Sequence, residues 1–218
     1  FLNLALIRII MQNGLWRAFC CSYTSILILS VSTGCSSCKR EKPGAARDWP
    51  VYLADNYSSH YSRLSEINRE NIGSLELAWE YDTGDDVSGN RSQIQCNPVI
   101  IDGKLYGTSP RLKIFALDAA TGERLWEYDP RPEIQYAENI NRGVCYWRHG
   151  NDKRILFSSG PDLFAINAET GKPVGSFGDS GHVSLKEGLG ERSADLYLAA
   201  TTPGIIFRDL IIIGSRVS

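Results

Sequence analysis

Beyond residue 97 the apolar positions fall into short runs separated by Gly, Asp, Asn or Pro. "IFAL" at 114–117, "LFAI" at 163–166 and "LIII" at 210–213 are continuous rather than alternating. Runs this short, rich in Ile, Leu and Phe and bounded by turn residues, predict strands. Their continuity predicts burial on both faces. Nothing between residues 48 and 218 sustains a long helical period. "SRLSEINRENIGSLELAW" comes nearest, and Gly73 confines it to a short helical turn.

The strand pattern repeats. "IFALDAATGERLWEYD" from Ile114 returns as "LFAINAETGKPVGSFG" from Leu163, an offset of 49 residues. "AWEYDTG" (Ala78–Gly84) precedes "LWEYDP" (Leu125–Pro130) by 47, and "VGSFGD" (Val174–Asp179) aligns with the latter as a third outer strand. "NPVIIDGKLYG" from Asn97 aligns with "TPGIIFRDLII" from Thr202. In "DAATG" and "NAETG", Asp118 and Asn167 can hydrogen-bond the turn backbone, and Gly122 and Gly171 can take the positive φ that closes a tight hairpin. A four-stranded unit recurring near 50 residues is the pattern of a β-propeller blade, with three to four blades in this chain. Trp79 and Trp126, at matched places, are expected to pack between neighbouring blades. A β-sandwich would also bury short strands, but it does not require one turn motif at fixed spacing. A propeller hides its strand edges by closing its ring, so residues 36–218 alone are expected to aggregate or stay partly unfolded.

The first 47 residues break this pattern. From Met11 the chain reads "MQNGLWRAFCCSYTSILILSVSTGC", with Arg17 before an apolar run and small residues ahead of Cys35. That is the layout of an export signal, which assigns residues 1–35 to an export segment, and the apolar run is far shorter than the roughly 20 residues a transmembrane helix needs. Small residues ending at a cysteine suggest lipidation at Cys35, with plain cleavage as the alternative. Either reading places the mature protein outside the cytoplasm, in the periplasm of a bacterium. Residues 36–47 are small and charged and read as a tether, leaving 48–218 as the folded domain. The chain opens with Phe1 and has Met11 as its single methionine, so it reads as a piece of a longer reading frame.

Charge adds an exclusion. With 23 basic and 25 acidic side chains the formal charge is −2, which offers no general electrostatic attraction to nucleic acid. Beyond the export segment Cys38, Cys96 and Cys145 remain. Cys35 and Cys38 lack the second ligand pair of a zinc site, and an oxidising compartment would permit a Cys96–Cys145 disulfide.

"ALDAATGERLWEYDP", "NRGVCYW", "LFAINAETGK" and "TTPGIIFRDLIIIGSRVS", in this order, resemble the pyrroloquinoline quinone (PQQ)-dependent dehydrogenases, above all their glucose/quinate/shikimate-type branch. The resemblance covers residues 48–218 and implies an eight-bladed propeller when complete. PQQ is a planar ortho-quinone bearing three carboxylates, so it needs cationic and hydroxyl partners at its edge, and arginine is the natural carboxylate clamp. By resemblance Arg142 in "NRGVCYW" is the cofactor-binding arginine, with Gly143 permitting close backbone approach. Gln95 stands where many members carry a cofactor-contacting Glu, and Ser158 where alcohol-oxidising members carry a cofactor-contacting Thr. Ser215 and Arg216 open a further cofactor segment, and Thr202 is a weaker candidate. "YAENINRG" lacks the vicinal cysteines of some alcohol-oxidising members, and Glu138 replaces the histidine that glucose-oxidising members can carry.

The resemblance implies that hydride passes from a sugar or polyol hydroxyl to PQQ, aided by Ca²⁺, and that electrons leave to a membrane quinone or cytochrome. The family's catalytic Asp and principal calcium ligands fall beyond residue 218, so this segment alone is expected to be inactive. A different class also fits some of these features. Outer-membrane assembly lipoproteins are propellers with similar turn repeats that bind only proteins, but they should lack the Asn-Arg-Gly and "TTPG…GSRVS" segments found here.

Overall fold

The computed structural model describes residues 2–8, 48–86, 92–133, 140–190, 193 and 195–218. Of the export segment expected at 1–35 only residues 2–8 are described; the rest of it, the tether at 36–47 and Glu138 lie outside the described residues. Among the described residues no helix is long and apolar enough to cross a membrane.

Two four-stranded antiparallel sheets carry the repeat. The first joins β2 (Val99–Ile101), β3 (Lys104–Thr108), β4 (Ile114–Asp118) and β5 (Arg124–Tyr128) in sequence order. The second joins β6 (Cys145–His149), β7 (Asp152–Ser159), β8 (Asp162–Asn167) and β9 (His182–Ser184) in the same way. A third sheet is partial. β12 (Leu210–Val217) pairs with β11 (Ile205–Phe207) and β10 (Leu198–Ala199) along one edge. β1 (Leu2–Arg8) pairs along its other edge, where β4 and β8 pair with β3 and β7 in the complete sheets. Among the described residues these sheets are propeller blades, two whole and one in part.

Alternation along β7 and β8 explains their unbroken apolar runs. Ile155, Phe157, Phe164 and Ile166 enter a core shared with Val99, Tyr106 and Ile114 of the first blade. Leu156, Leu163 and Ala165 enter a second core with Leu198, Ile211 and Ile213 of the third. The middle sheet is therefore buried on both faces, and each side chain gains from removal from water.

The outer turns have matching geometry. Asp118 Oδ1 accepts from the Ala120 and Thr121 amides, both at 2.9 Å, and Asn167 Oδ1 accepts from Glu169 at 3.0 Å and Thr170 at 2.9 Å. Gly122 and Gly171 follow at φ +73° and +70°. A Cβ on Gly122 would lie 2.6 Å from the Trp79 ring, and one on Gly171 would lie 2.7 Å from the Trp126 ring. Each tryptophan thus lies flat on the next blade's turn, as its matched position predicts. The Trp126 indole also donates to the Ala168 carbonyl at 3.0 Å.

Two sequence expectations shift. Val174–Asp179 is not a third outer strand. Pairing starts with the Pro173 bridge to Ile166 and the Val174 amide on Ala165, then breaks into a turn that buries Phe177. The flanking residues give the reason, since Pro173 has no N–H to donate and Gly178 turns at φ +56°. The blade's outer strand is β9. In the third blade the hairpin turn also slips by one residue from the sequence alignment, so that Arg208 (φ +58°) takes the place of Asp102 (φ +51°). The expected helical turn is a single 3-10 turn at Ile72–Ser74.

Candidate functional site

Three segments enter the inner strands at equivalent places, and backbone hydrogen bonds link them across the blades. The Asn97 amide donates to the Arg142 carbonyl at 2.9 Å, and the Arg142 amide donates to the Thr201 carbonyl at 2.8 Å. Asn97 and Gly143 form a parallel bridge. Arg142 is therefore clamped between the first and third blades.

Its side chain is oriented as well. Arg142 Nη1 donates to Thr201 Oγ1 at 2.9 Å, and this is its sole side-chain interaction among the described residues. The half-buried guanidinium has donors to spare and no carboxylate partner there. A partly buried, oriented cation with no described anion beside it suits a ligand that brings its own carboxylate.

Neighbouring residues hold this arrangement. Asn141 is buried; its Oδ1 accepts from the Gly143 amide at 2.8 Å and its Nδ2 donates to the Ser158 carbonyl at 3.0 Å. The Ser158 hydroxyl donates to the Ala200 carbonyl. Gly143 leaves no room for a side chain, since a Cβ would sit 2.9 Å from the Tyr52 ring and 3.2 Å from both the Asn97 carbonyl and Pro203. Beside it a cleft of about 380 Å³ is lined by Tyr52, Cys145, Thr202 and Ile206, among others.

The remaining expected residues spread around this centre. Gln95 is half-buried two residues before Asn97, and its amide donates to Gln93 Oε1 at 2.9 Å. Thr202 is exposed and faces the cleft, whereas the neighbouring Thr201 contacts Arg142. Ser215 is buried in β12. Arg216 is exposed, opposite Ala199, with its guanidinium 5.9 Å from the Tyr197 ring centroid. Cys35 lies outside the described residues.

Cys96 and Cys145 are both free thiols. Burial pushes the Cys145 thiol up to about 12, and its sulfur donates to the Gly204 carbonyl at 2.8 Å. Burial likewise raises Cys96. Both are held as inert thiols rather than thiolates.

The model for the PQQ glucose/ethanol/alcohol dehydrogenase β-propeller domain matches residues 49–218. The chain belongs to the PQQ-dependent dehydrogenase family. Its relatives within that family span several substrates. It is 38% identical over 149 residues to the dehydrogenase subunit of a quinone-dependent alcohol dehydrogenase from Gluconobacter oxydans, covering 66% of this chain and 19% of that protein. Against the quinate/shikimate dehydrogenase (quinone) of Acinetobacter baylyi the identity is 30%, covering 78% of this chain and 24% of the relative. The crystal structure of the quinohemoprotein alcohol dehydrogenase from Comamonas testosteroni superposes with a TM-score of 0.62 at 28% identity, covering 81% of this chain and 25% of that one. The chain thus spans a quarter or less of the length of these quinoproteins.

The site fits PQQ at one edge. Among the described residues Arg142 has guanidinium donors to spare, held by Thr201, and the backbone at Gly143 is close-packed beside it. A metal is another matter: among the described residues no three His, Cys, Asp or Glu side chains converge on a metal-sized site. No step through a metal is assigned to these residues.

Proposed function

We propose that these residues form one side of the PQQ cradle in an exported dehydrogenase that oxidises a sugar or polyol hydroxyl. The observation that carries this reading is Arg142, a half-buried cation fixed by Thr201 and by backbone bonds to two blades, with no described anion beside it. When bound, PQQ would supply the two-electron acceptor. Arg142 would hold one of its carboxylates through charge-assisted hydrogen bonds, and Gln95 would offer a neutral amide where a charged Glu is common in the family.

Calcium, the general base and the contacts that select the substrate would come from blades beyond these 218 residues, which alone should give no turnover. Electrons would pass to a membrane quinone or a cytochrome. A lipid on Cys35 would anchor the mature protein to the periplasmic side of a membrane. Glucose, another aldose or a cyclic polyol are the substrates to try first, with primary alcohols included because some relatives bear that name.

The test uses the complete reading frame, produced without its export segment. PQQ is titrated with and without calcium while dye reduction is followed with sugars, polyols and alcohols. Saturable PQQ binding that falls about 10- to 100-fold in Arg142→Ala, the loss expected for a charge-assisted hydrogen bond, supports the reading. A folded ring that binds no PQQ overturns it.

A further inference from the structure

The sequence resemblance casts Ser158 as a cofactor contact, but its surroundings point elsewhere. The residue is 3% exposed, and its single hydroxyl proton goes to the Ala200 carbonyl. Its own carbonyl accepts from Asn141 Nδ2 at 3.0 Å. Asn141 immediately precedes Arg142, and Ala200 immediately precedes Thr201, whose hydroxyl holds the Arg142 guanidinium at 2.9 Å. Through its carbonyl Ser158 therefore holds the side chain of Asn141, the residue before Arg142, and through its hydroxyl it holds the backbone before Thr201.

We propose that Ser158 and Asn141 are positioning residues that aim Arg142, and that Ser158 does not itself touch the cofactor. A hydroxyl already donating inside the protein, with almost no surface, has little to offer a planar ligand. Its loss would instead leave the Ala200 carbonyl unpaired and let the 200–201 backbone relax, so that Thr201 no longer fixes the guanidinium. Asn141 acts on the other flank. Its side chain ties Gly143 to Ser158, so the Asn-Arg-Gly loop has one orientation relative to β7. The inference rests on the reading of Arg142 as the PQQ clamp.

A double-mutant cycle on the full-length protein tests it, with PQQ affinity read by titration of the apo form and melting temperature recorded to confirm folding. Ser158→Ala should weaken PQQ binding about tenfold in the parent, as expected for one lost buried hydrogen bond. In an Arg142→Lys background, where the planar fork has nothing to aim, the same change should cost less than about twofold. Equal losses in both backgrounds would mean that Ser158 reaches PQQ by itself, and the proposal fails. No loss in the parent would also overturn it. If Arg142→Lys abolishes binding, Thr201→Val provides the background, since it removes the hydroxyl through which Ser158 acts. Absence of PQQ binding by the parent is a separate result, and it counts against the functional reading rather than this one.

Discussion

The two faces of this partial ring use different chemistry. On one face the outer turns repeat almost atom for atom. Asp118 and Asn167 cap their own hairpins, Trp79 and Trp126 lie on Gly122 and Gly171, and Lys104, Lys153, Glu169 and Asp102 link the first two blades by ion pairs. On the other face the three inner segments share a backbone path but not their side chains. Asn97, Arg142 and Thr201 occupy matched links of one hydrogen-bonded chain and are three different residues. Repetition builds the scaffold, and departures from it build the site. Changes on the first face should therefore move stability, and changes on the second should move binding.

The hardest test of that division is Gly171→Ala. The residue sits at φ +70°, and a Cβ would lie 2.7 Å from the Trp126 ring, which cannot retreat while it donates to Ala168. Left-handed strain and overpacking together predict a loss of roughly 3 kcal/mol, seen as a lower denaturant midpoint of the full-length protein. Gly150→Ala is the control: φ is +59°, and nothing lies within 4 Å of its would-be Cβ. It should lose only about 1 kcal/mol. Similar losses at both positions would show that the tryptophan stack contributes little.

Arg142→Ala should do the opposite, cutting PQQ affinity while leaving the melting temperature within about 2 °C, since the half-buried guanidinium makes a single neutral side-chain contact among the described residues and packs in neither core cluster, so its loss should cost about 0.5 kcal/mol. A large drop in melting temperature would place Arg142 in the scaffold. Trp126→Phe should fall between the two in character. It keeps the ring over Gly171 but leaves the Ala168 carbonyl with the longer Tyr106 hydroxyl bond at 3.3 Å, for a loss of about 1 kcal/mol.

How much of this could be read in the sequence follows the same line. The scaffold was legible because its signals are local or repeated: the Asp118 and Asn167 turns close within four residues, and the tryptophans stand at matched places. The middle strands declared their burial through unbroken apolar runs. The site was legible only through family resemblance, which marked Arg142 but not what holds it. Thr201 pairs with an arginine 59 residues away, and it carries the same side chain as the exposed Thr202 beside it. No spacing distinguishes the two. Asn141 carries no mark of its role, because a buried amide and a solvated one look alike in sequence. The outer strand of the second blade is not legible, because "VGSFGD" mimics "LWEYDP" in polarity, while Pro173 and Gly178 turn the chain away from a strand there.

The smallest expected effect concerns the ion pairs between the blades. Hydrogen bonds first from Lys104 and then from Lys153 hold the Glu169 carboxyl below its ordinary value near 4.5. A carboxyl depressed in the folded state binds its proton less readily there than in the unfolded chain. It thus contributes stability above the ordinary value and loses it as pH falls through the lower, folded one. The Lys153 ammonium is raised above 10.5, chiefly by Glu169, so its contribution is present below that value and lost as pH rises through the higher, folded one. The network should give a plateau between these limits with a shoulder on the acid side. Because the Glu169 side chain is 42% exposed, the shoulder should be no more than about 1 kcal/mol and should shrink in high salt. Glu169→Gln should remove the shoulder while PQQ binding at neutral pH stays unchanged, and chemical unfolding across pH 3 to 7 would measure both profiles. An unaltered profile in the variant would mean that the acid sensitivity lies elsewhere in the ring. A change in PQQ affinity would mean that the two faces are coupled after all.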